Sequence, residues 1–370
     1  MQLSALRLAA LAMTATLAAC GSDSDTDAGL LINSAFDVTN PTDTEQVYRY
    51  YGDSADGAMN GPGNYGALQY GVDDSHNMWS NFATYLFKDG DRYFKAQVVS
   101  NYGEDGTLSS GNLYVRYAEV GGASDYVAAD ASDENLPAYF DLLAGSATTA
   151  DQAWQFSYQK RIGFKVNGSV SGSGDVTACV AHIADGLYDE AGTPVEAAFK
   201  ALTLENTLAA FEAVTAESCA AEDFQEDTLE LQIDMDNWTD YNPTTHAVTL
   251  DTEDHNGWLI QSATQADGKY AYGRVKVSAM TFTYPTDLSI SLDLELWNAE
   301  TETFSAAQSS PELNYTNGRL YWDMETNSIV TENDDWELSV VLDSFNVLLQ
   351  VNGGASGNGT AGVGYVLITE

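Results

Sequence analysis

Tyr139-Phe140-Asp141-Leu142, then Trp154-Gln155-Phe156-Ser157, then Asn167-Gly168-Ser169-Val170-Ser171-Gly172-Ser173-Gly174: this series decides the fold, because the chain contains it twice. Near the C-terminus the same order returns as Tyr321-Trp322-Asp323-Met324, Trp336-Glu337-Leu338-Ser339 and Asn352-Gly353-Gly354-Ala355-Ser356-Gly357-Asn358-Gly359. Tyr139 to Ser157 aligns without a gap on Tyr321 to Ser339, and three extra residues precede the second Asn-Gly. That much ordered agreement marks a duplicated structural unit.

Within each copy the residues spell strands. Trp154, Phe156 and Tyr158 alternate with polar residues, the period of a half-buried strand, and Phe164 and Val166 repeat it before the Gly-rich turn. Glycines at alternate positions allow positive φ or a close backbone approach. No Lys or helical pattern follows at the spacing of a phosphate-binding loop. The glycines are architecture.

A second repeat surrounds the first. Trp238 to His246 leads to Trp258-Leu259-Ile260 and on to Tyr270-Ala271-Tyr272-Gly273-Arg274-Val275. Gln69-Tyr70 and His76 lead to Phe82-Ala83-Thr84-Tyr85 and on to Tyr93-Phe94-Lys95-Ala96-Gln97-Val98. Both read as hairpins of an aromatic strand, an Asp/Gly turn and a β-branched strand. The favoured division nests the copies, with 137–300 as a continuous inner unit and 33–125 plus 301–370 as a discontinuous outer one. The alternative is two consecutive units cut near residue 200.

Thr193 to Glu217 departs from the β pattern. Val195, Ala198, Phe199, Leu202, Leu208, Phe211 and Val214 fall largely at helical spacing, with Pro194 at the start, which predicts a helical insertion around 193–217. Cys179 and Cys219 bracket it. In an exported protein such a pair reads as a disulfide, the alternative being two free buried thiols.

Met1 to Cys20 reads as an export signal: Arg7, an apolar run too short to span a membrane, then Leu17-Ala18-Ala19-Cys20. That ending resembles the bacterial lipobox, which implies that Cys20 is acylated. Gly21 and Ser22, with no Asp directly after the cysteine, resemble outer-membrane sorting, and 21–32 reads as a solvated tether. The expected localisation is the outer membrane, lipid-anchored, facing the cell surface or the periplasm. A net charge of −41 excludes nucleic acid as a partner and leaves the lipid as the only membrane contact.

The catalytic inventory is thin. Four histidines are present (His76, His182, His246 and His255), and no HExxH, CxxC, GxSxG or Walker loop. The acidic stretch Asp234 to Asp240 does not follow the EF-hand spacing. Pairs among 55 acidic residues carry no specificity for glycoside hydrolysis, so the chain reads as a binding protein and not an enzyme.

The ordered motifs of 137–300 carry a resemblance. Tyr139 to Leu142, Trp154 to Ser157, Asn167 to Gly174, Trp238 to His246, Trp258 to Ile260 and Tyr270 to Val275 resemble, in order, the HmuY-like haem-binding lipoproteins of bacterial surfaces. The outer pieces look like a diverged second copy. The resemblance implies a mainly β fold of two antiparallel β domains, haem held between loops by His or Met ligands, and delivery to a TonB-dependent outer-membrane receptor. The family places one ligand in the loop after Trp238 and Tyr241, where this chain has Pro243 with His246 three residues on. His246 is therefore the candidate axial ligand and His76 its match in the other copy, with Met78, Met235 and His255 as competitors. The alternative function is a surface glycan- or protein-binding β module without haem.

Overall fold

The alternating stretches become sheets with one face on a core. The computed structural model describes residues 49–365 except 74, 135, 252–256 and 316–317. The leader, Cys20, the tether and His255 lie outside the described residues. The fold is mainly β, with two short α-helices.

In the first unit an antiparallel sheet runs in the order Thr177–His182, Thr84–Asp89, Arg92–Ser100, Asn112–Glu119, Asp125–Asp130. A four-stranded sheet runs Ser146–Thr148, Ala138–Asp141, Phe156–Gln159, Gly163–Val166. The two share one core: Phe87 of the first sheet stacks on Phe156 of the second at 5.4 Å, and Phe156 stacks on Phe140 at 4.4 Å. Fully burying a side chain of this size stabilises by about 1.5–3 kcal/mol, so the aromatic column is a main contributor to the sandwich.

The second unit repeats the plan. Its four-stranded sheet runs Ser328–Val330, Arg319–Asp323, Leu338–Asp343, Asn346–Val351, strand for strand the order of the first. Its large sheet is centred on Gly257–Ala266, Lys269–Thr283 and Asp287–Asn298. Trp322, Leu338, Leu349, Val275 and Leu292 close a core between them.

The repeated glycine signature has a steric cause. Asn167 sends its Nδ2 to the Trp154 carbonyl at 3.0 Å and accepts the Gly174 N–H on Oδ1 at 3.1 Å; Asn352 does the same with Trp336 and Gly359 at 2.9 and 3.0 Å. A Cβ on Gly172 would lie 2.2 Å from Asn167 Oδ1, and one on Gly357 2.1 Å from Asn352 Oδ1. The asparagine occupies the space a side chain would need.

The nested division of 33–125 plus 301–370 around 137–300 is corrected by the cores. One core draws on residues from Ala58 to Ala178 and the other on residues from Ile233 to Val363, so the units follow one another along the chain. Each four-stranded sheet packs on the hairpin sheet that precedes it, not on the one that follows. Repeated motifs are symmetric to either choice, so the sequence carries no mark of it.

Among the described residues, the leading strands cross over between the units. Arg49–Tyr51 pairs with Gly362–Tyr365 of the second unit, while Gln225, just before the second unit begins, pairs with Ala178 of the first. Between the crossings, Ser54–Asp56 and Thr228–Glu230 pair antiparallel with each other. A buried aspartate secures each exchange. Asp53 accepts the N–H groups of Gln232 and Val351 at 2.9 and 3.0 Å, and Asp227 accepts the N–H of Val166 at 2.9 Å.

The helical insertion consists of Glu196–Ala201 and Leu208–Ala213, and Cys179 and Cys219 are joined by a disulfide. Two buried cations fasten it to the first sheet. Lys95 Nζ donates to the carbonyls of Phe211, Glu212 and Val214 at 2.9, 3.0 and 2.9 Å. Arg116 donates to the Leu204 carbonyl and to Thr207 Oγ1, and its guanidinium lies 5.6 Å from the Phe211 ring centroid. Carbonyls at a helix C-terminus favour a cation, which accounts for a lysine at this depth.

Candidate functional site

His246 lies in the turn between the paired strands Thr239–Asn242 and Ala247–Leu250. Asn242 builds that turn: its Oδ1 accepts the N–H of Thr244 at 2.9 Å and of Thr245 at 3.2 Å, and its carbonyl accepts the His246 N–H at 2.7 Å. The loop closes with His246 at φ 56°, a left-handed conformation that suits Gly or Asn better than His. Such a residue costs about 1–2 kcal/mol, and it orients the side chain outward.

The imidazole is held but not covered. Its Nδ1 is 2.6 Å from the Tyr241 hydroxyl, and Nε2 has no hydrogen-bond partner among the described residues. When Nδ1 carries the proton and donates it to Tyr241, Nε2 keeps a lone pair directed at solvent. Two further hairpin turns arrive beside it. Phe345, between Leu338–Asp343 and Asn346–Val351, lies 6.4 Å from the imidazole centroid. Tyr284, between Lys269–Thr283 and Asp287–Asn298, stacks on Phe345 at 4.2 Å with an interplanar angle of 14°. Tyr241, Tyr284 and Phe345 are 50%, 55% and 37% exposed, so three turns build an open aromatic shelf around one histidine.

His76 stands in the matching hairpin of the first unit, between Leu68–Tyr70 and Met78–Ser80, and Tyr70 contacts its Nδ1 as Tyr241 contacts that of His246. Tyr70 stacks on it at 6.0 Å and is its one ring neighbour among the described residues. The two histidines share a local design, but no contact joins them among the described residues.

Of the competing ligands, His255 lies outside the described residues, and the structure places Met235 and Met78 as follows. Met235 Sδ accepts the Val347 N–H at 3.2 Å, behind the turn that carries Phe345. Met78 packs half-buried on the first core, and its N–H donates to the Tyr102 hydroxyl. His182, the remaining described histidine, lies on the edge strand Thr177–His182.

One cluster had no counterpart in the sequence reading. Asp323, Glu325 and Glu337 place carboxylate oxygens within 4.8 Å of one another. Glu337 is fully buried and accepts the N–H of Ala263 at 2.9 Å and of Met324 at 2.7 Å. Burial and the neighbouring Glu325 push its carboxyl up to about 9, and burial raises Glu325 as well. Two carboxyls in this setting hold a proton between them rather than two charges. Gln155 fills the same place in the first unit, accepting the Leu142 N–H at 2.7 Å and donating to Asp89 at 2.8 Å.

The shelf suits a large, flat, partly apolar ligand with an atom that accepts an imidazole nitrogen. A tetrapyrrole iron fits this donor set: an imidazole oriented from behind by a hydroxyl, with stacked rings at its side. Compared with known proteins, the chain matches no protein-family model, no curated protein and no solved structure.

Proposed function

We propose that this protein binds haem or a related tetrapyrrole at the His246 shelf and serves as a surface-anchored haem carrier. The observation that supports the reading is the oriented imidazole of His246, with Nε2 open beside the Phe345–Tyr284 stack. Bound haem supplies an iron that accepts one or two axial ligands and a macrocycle with an apolar face. His246 would hold the iron through Nε2. Tyr241 would hold the ring plane and, by accepting the Nδ1 proton, leave the Nε2 lone pair free for the iron. Phe345 and Tyr284 would cover part of the macrocycle and exclude water from one side. His76, with Tyr70 behind it, is the corresponding ligand of the first unit.

The same reading takes Cys20 as the lipid attachment that holds the carrier at the outer membrane, where a TonB-dependent receptor would accept its cargo. A glycan- or protein-binding module without haem is the competing account, and an exposed aromatic shelf would serve it as well. A haemin titration of the full chain separates them. The expected result is a saturable Soret band that shifts and weakens by tenfold or more in affinity in His246→Ala. His246→Asn, which suits the left-handed turn, should shift and weaken it to the same extent. No saturable band in either redox state, or an unchanged spectrum in both variants and in His76→Ala, refutes the assignment.

A further inference from the structure

The outer face of the four-stranded sheet in the first unit holds Tyr139, Ser157 and Lys165 in one row across three strands. This face meets the second unit across a cavity of about 810 Å³, lined on the far side by Arg319, the 332–336 turn and the glycine hairpin 354–359. A second cavity of about 830 Å³ adjoins it through Pro137, Gln159, Lys165 and the same hairpin, and adds Lys160 and Arg161. Four of only 14 basic residues thus converge in one cleft of a chain whose net charge is −41. None of the shelf residues around His246 lines either cavity.

Four carboxylates, Glu134, Glu332, Asp334 and Asp335, line the same two cavities, and each already has a partner within the fold while keeping further acceptor capacity. Glu134 pairs with Arg161 at 2.6 Å. Asp334 accepts the N–H and the hydroxyl of Thr331 at 2.9 and 2.7 Å, Asp335 accepts the Thr264 hydroxyl at 2.5 Å, and Glu332 bonds to Tyr321. Lys165 and Arg319, one from each unit, take part in no salt bridge among the described residues. Arg319 and Glu332 both lie beside the Tyr321 hydroxyl, while the half-buried Lys165 ammonium has no hydrogen-bond acceptor among the described residues. Asp227 and Asp53 act on the two cations only through space. A partly desolvated ammonium without an acceptor is destabilising, and an anion in the cleft would relieve it.

The rest of the lining narrows the ligand. Ser157, Gln159, Asn333 and Asn358 offer neutral donors and acceptors, and Tyr139 and Trp336 offer ring edges. Glu332, Asp334 and Asp335 oppose a multiply charged phosphate but accept hydroxyl donors. We infer that this interunit cleft is a second binding site, for an acidic saccharide whose uronate carboxylate lies between Lys165 and Arg319 and whose hydroxyls meet the surrounding amides and carboxylates. Its volume falls within the range of about 300–1,000 Å³ common to small-molecule sites, enough for a short oligosaccharide.

Calorimetric titration of the full chain with galacturonate, glucuronate and mannuronate oligomers tests this, with neutral gluco-oligosaccharides and sodium sulfate as comparison arms. One uronate oligomer should bind saturably and at least tenfold more tightly than either comparison. Lys165→Met and Arg319→Met should each weaken binding by tenfold or more. Lys165→Arg should retain it, which guards against a folding defect, and His246→Ala should leave it unchanged, which keeps the haem reading separate. No saturable uronate binding, equal binding of the neutral sugar or of sulfate, or full affinity in Lys165→Met and Arg319→Met overturns the inference.

Discussion

Replacing Glu337 by Gln tests how the second unit holds a buried acid. Glu337 takes up a proton in the folded state up to about pH 9, whereas in the unfolded chain it ionises near the ordinary glutamate value of about 4.3. Between those values the folded state carries a proton that the unfolded state lacks, so stability falls as pH rises, by about 1.4 kcal/mol per unit. At pH 7 this amounts to a penalty on the order of 4 kcal/mol, absent below about pH 4. Glutamine cannot ionise and removes the slope. It keeps one acceptor oxygen for Met324 or Ala263 and turns an NH₂ group toward the other N–H, which costs about 1–3 kcal/mol.

The two effects have different pH signatures, and that makes the experiment decisive. E337Q should be less stable than the parent by about 1–3 kcal/mol near pH 4. The difference should shrink and then reverse as pH rises, with the variant equal or superior by pH 8. Urea unfolding followed by circular dichroism at half-unit pH steps measures it. Parallel stability curves for parent and variant from pH 5 to pH 9 would refute the shared-proton assignment. Gln155, at the same place in the first unit, shows that the fold accommodates an amide there.

Cys20→Ser should release the protein from the membrane fraction, read by fractionation and blotting, and unchanged retention would count against lipid attachment. Opening the Cys179–Cys219 disulfide with a double Ala variant should remove about 3–4 kcal/mol, as loop entropy predicts for a separation of 40 residues. Intact-mass analysis of protein prepared without reductant should show the oxidised pair. Lys95→Met leaves three carbonyls at the end of Leu208–Ala213 without their ammonium and should destabilise by about 2–4 kcal/mol. Hydrogen exchange should then quicken in 196–213 ahead of the sheets, and uniform exchange throughout would show that the lysine does not fasten the insertion.

What the sequence could show was local. Period-two alternation around Phe156 and Phe164 marked the strands, and the twofold series from Tyr139 and Tyr321 marked the duplication, because both lie in contiguous residues. The helical spacing of Phe199 and Phe211 was equally direct, although two short helices replace the single stretch expected. The pairing of whole sheets was not legible. Each four-stranded sheet has a hairpin sheet before it and another related one within reach, and both present the same aromatic face. The exchange of Arg49–Tyr51 into the second unit is further hidden, because its signal is one buried Asp53 among 55 acidic residues.

The candidate sites divide along the same line. Tyr241 and His246 are five residues apart, so their hairpin could be read directly, as could Tyr70 with His76. Phe345 and Tyr284 reach the shelf from turns about 100 and 40 residues further on, in strands whose register no local pattern states. Lys165 and Arg319 belong to different units and line one cavity only because the four-stranded sheet of one faces the glycine hairpin of the other.

Duplication followed by strand exchange also explains why two sites can differ on one repeated scaffold. The leading strands pair across the units, and Asp53 and Asp227 anchor each unit to backbone of the other. Neither sandwich then completes its edge alone, so the cleft between them is framed by structural hydrogen bonds rather than by surface contact. The turns at the far ends carry no such duty. There the copies differ: His246 has Phe345 beside it with Tyr284 stacked on that ring, while Tyr70 is the one ring neighbour of His76 among the described residues. On the proposed reading, the shared centre would take the acidic saccharide, and the free turns would carry the separate haem shelf.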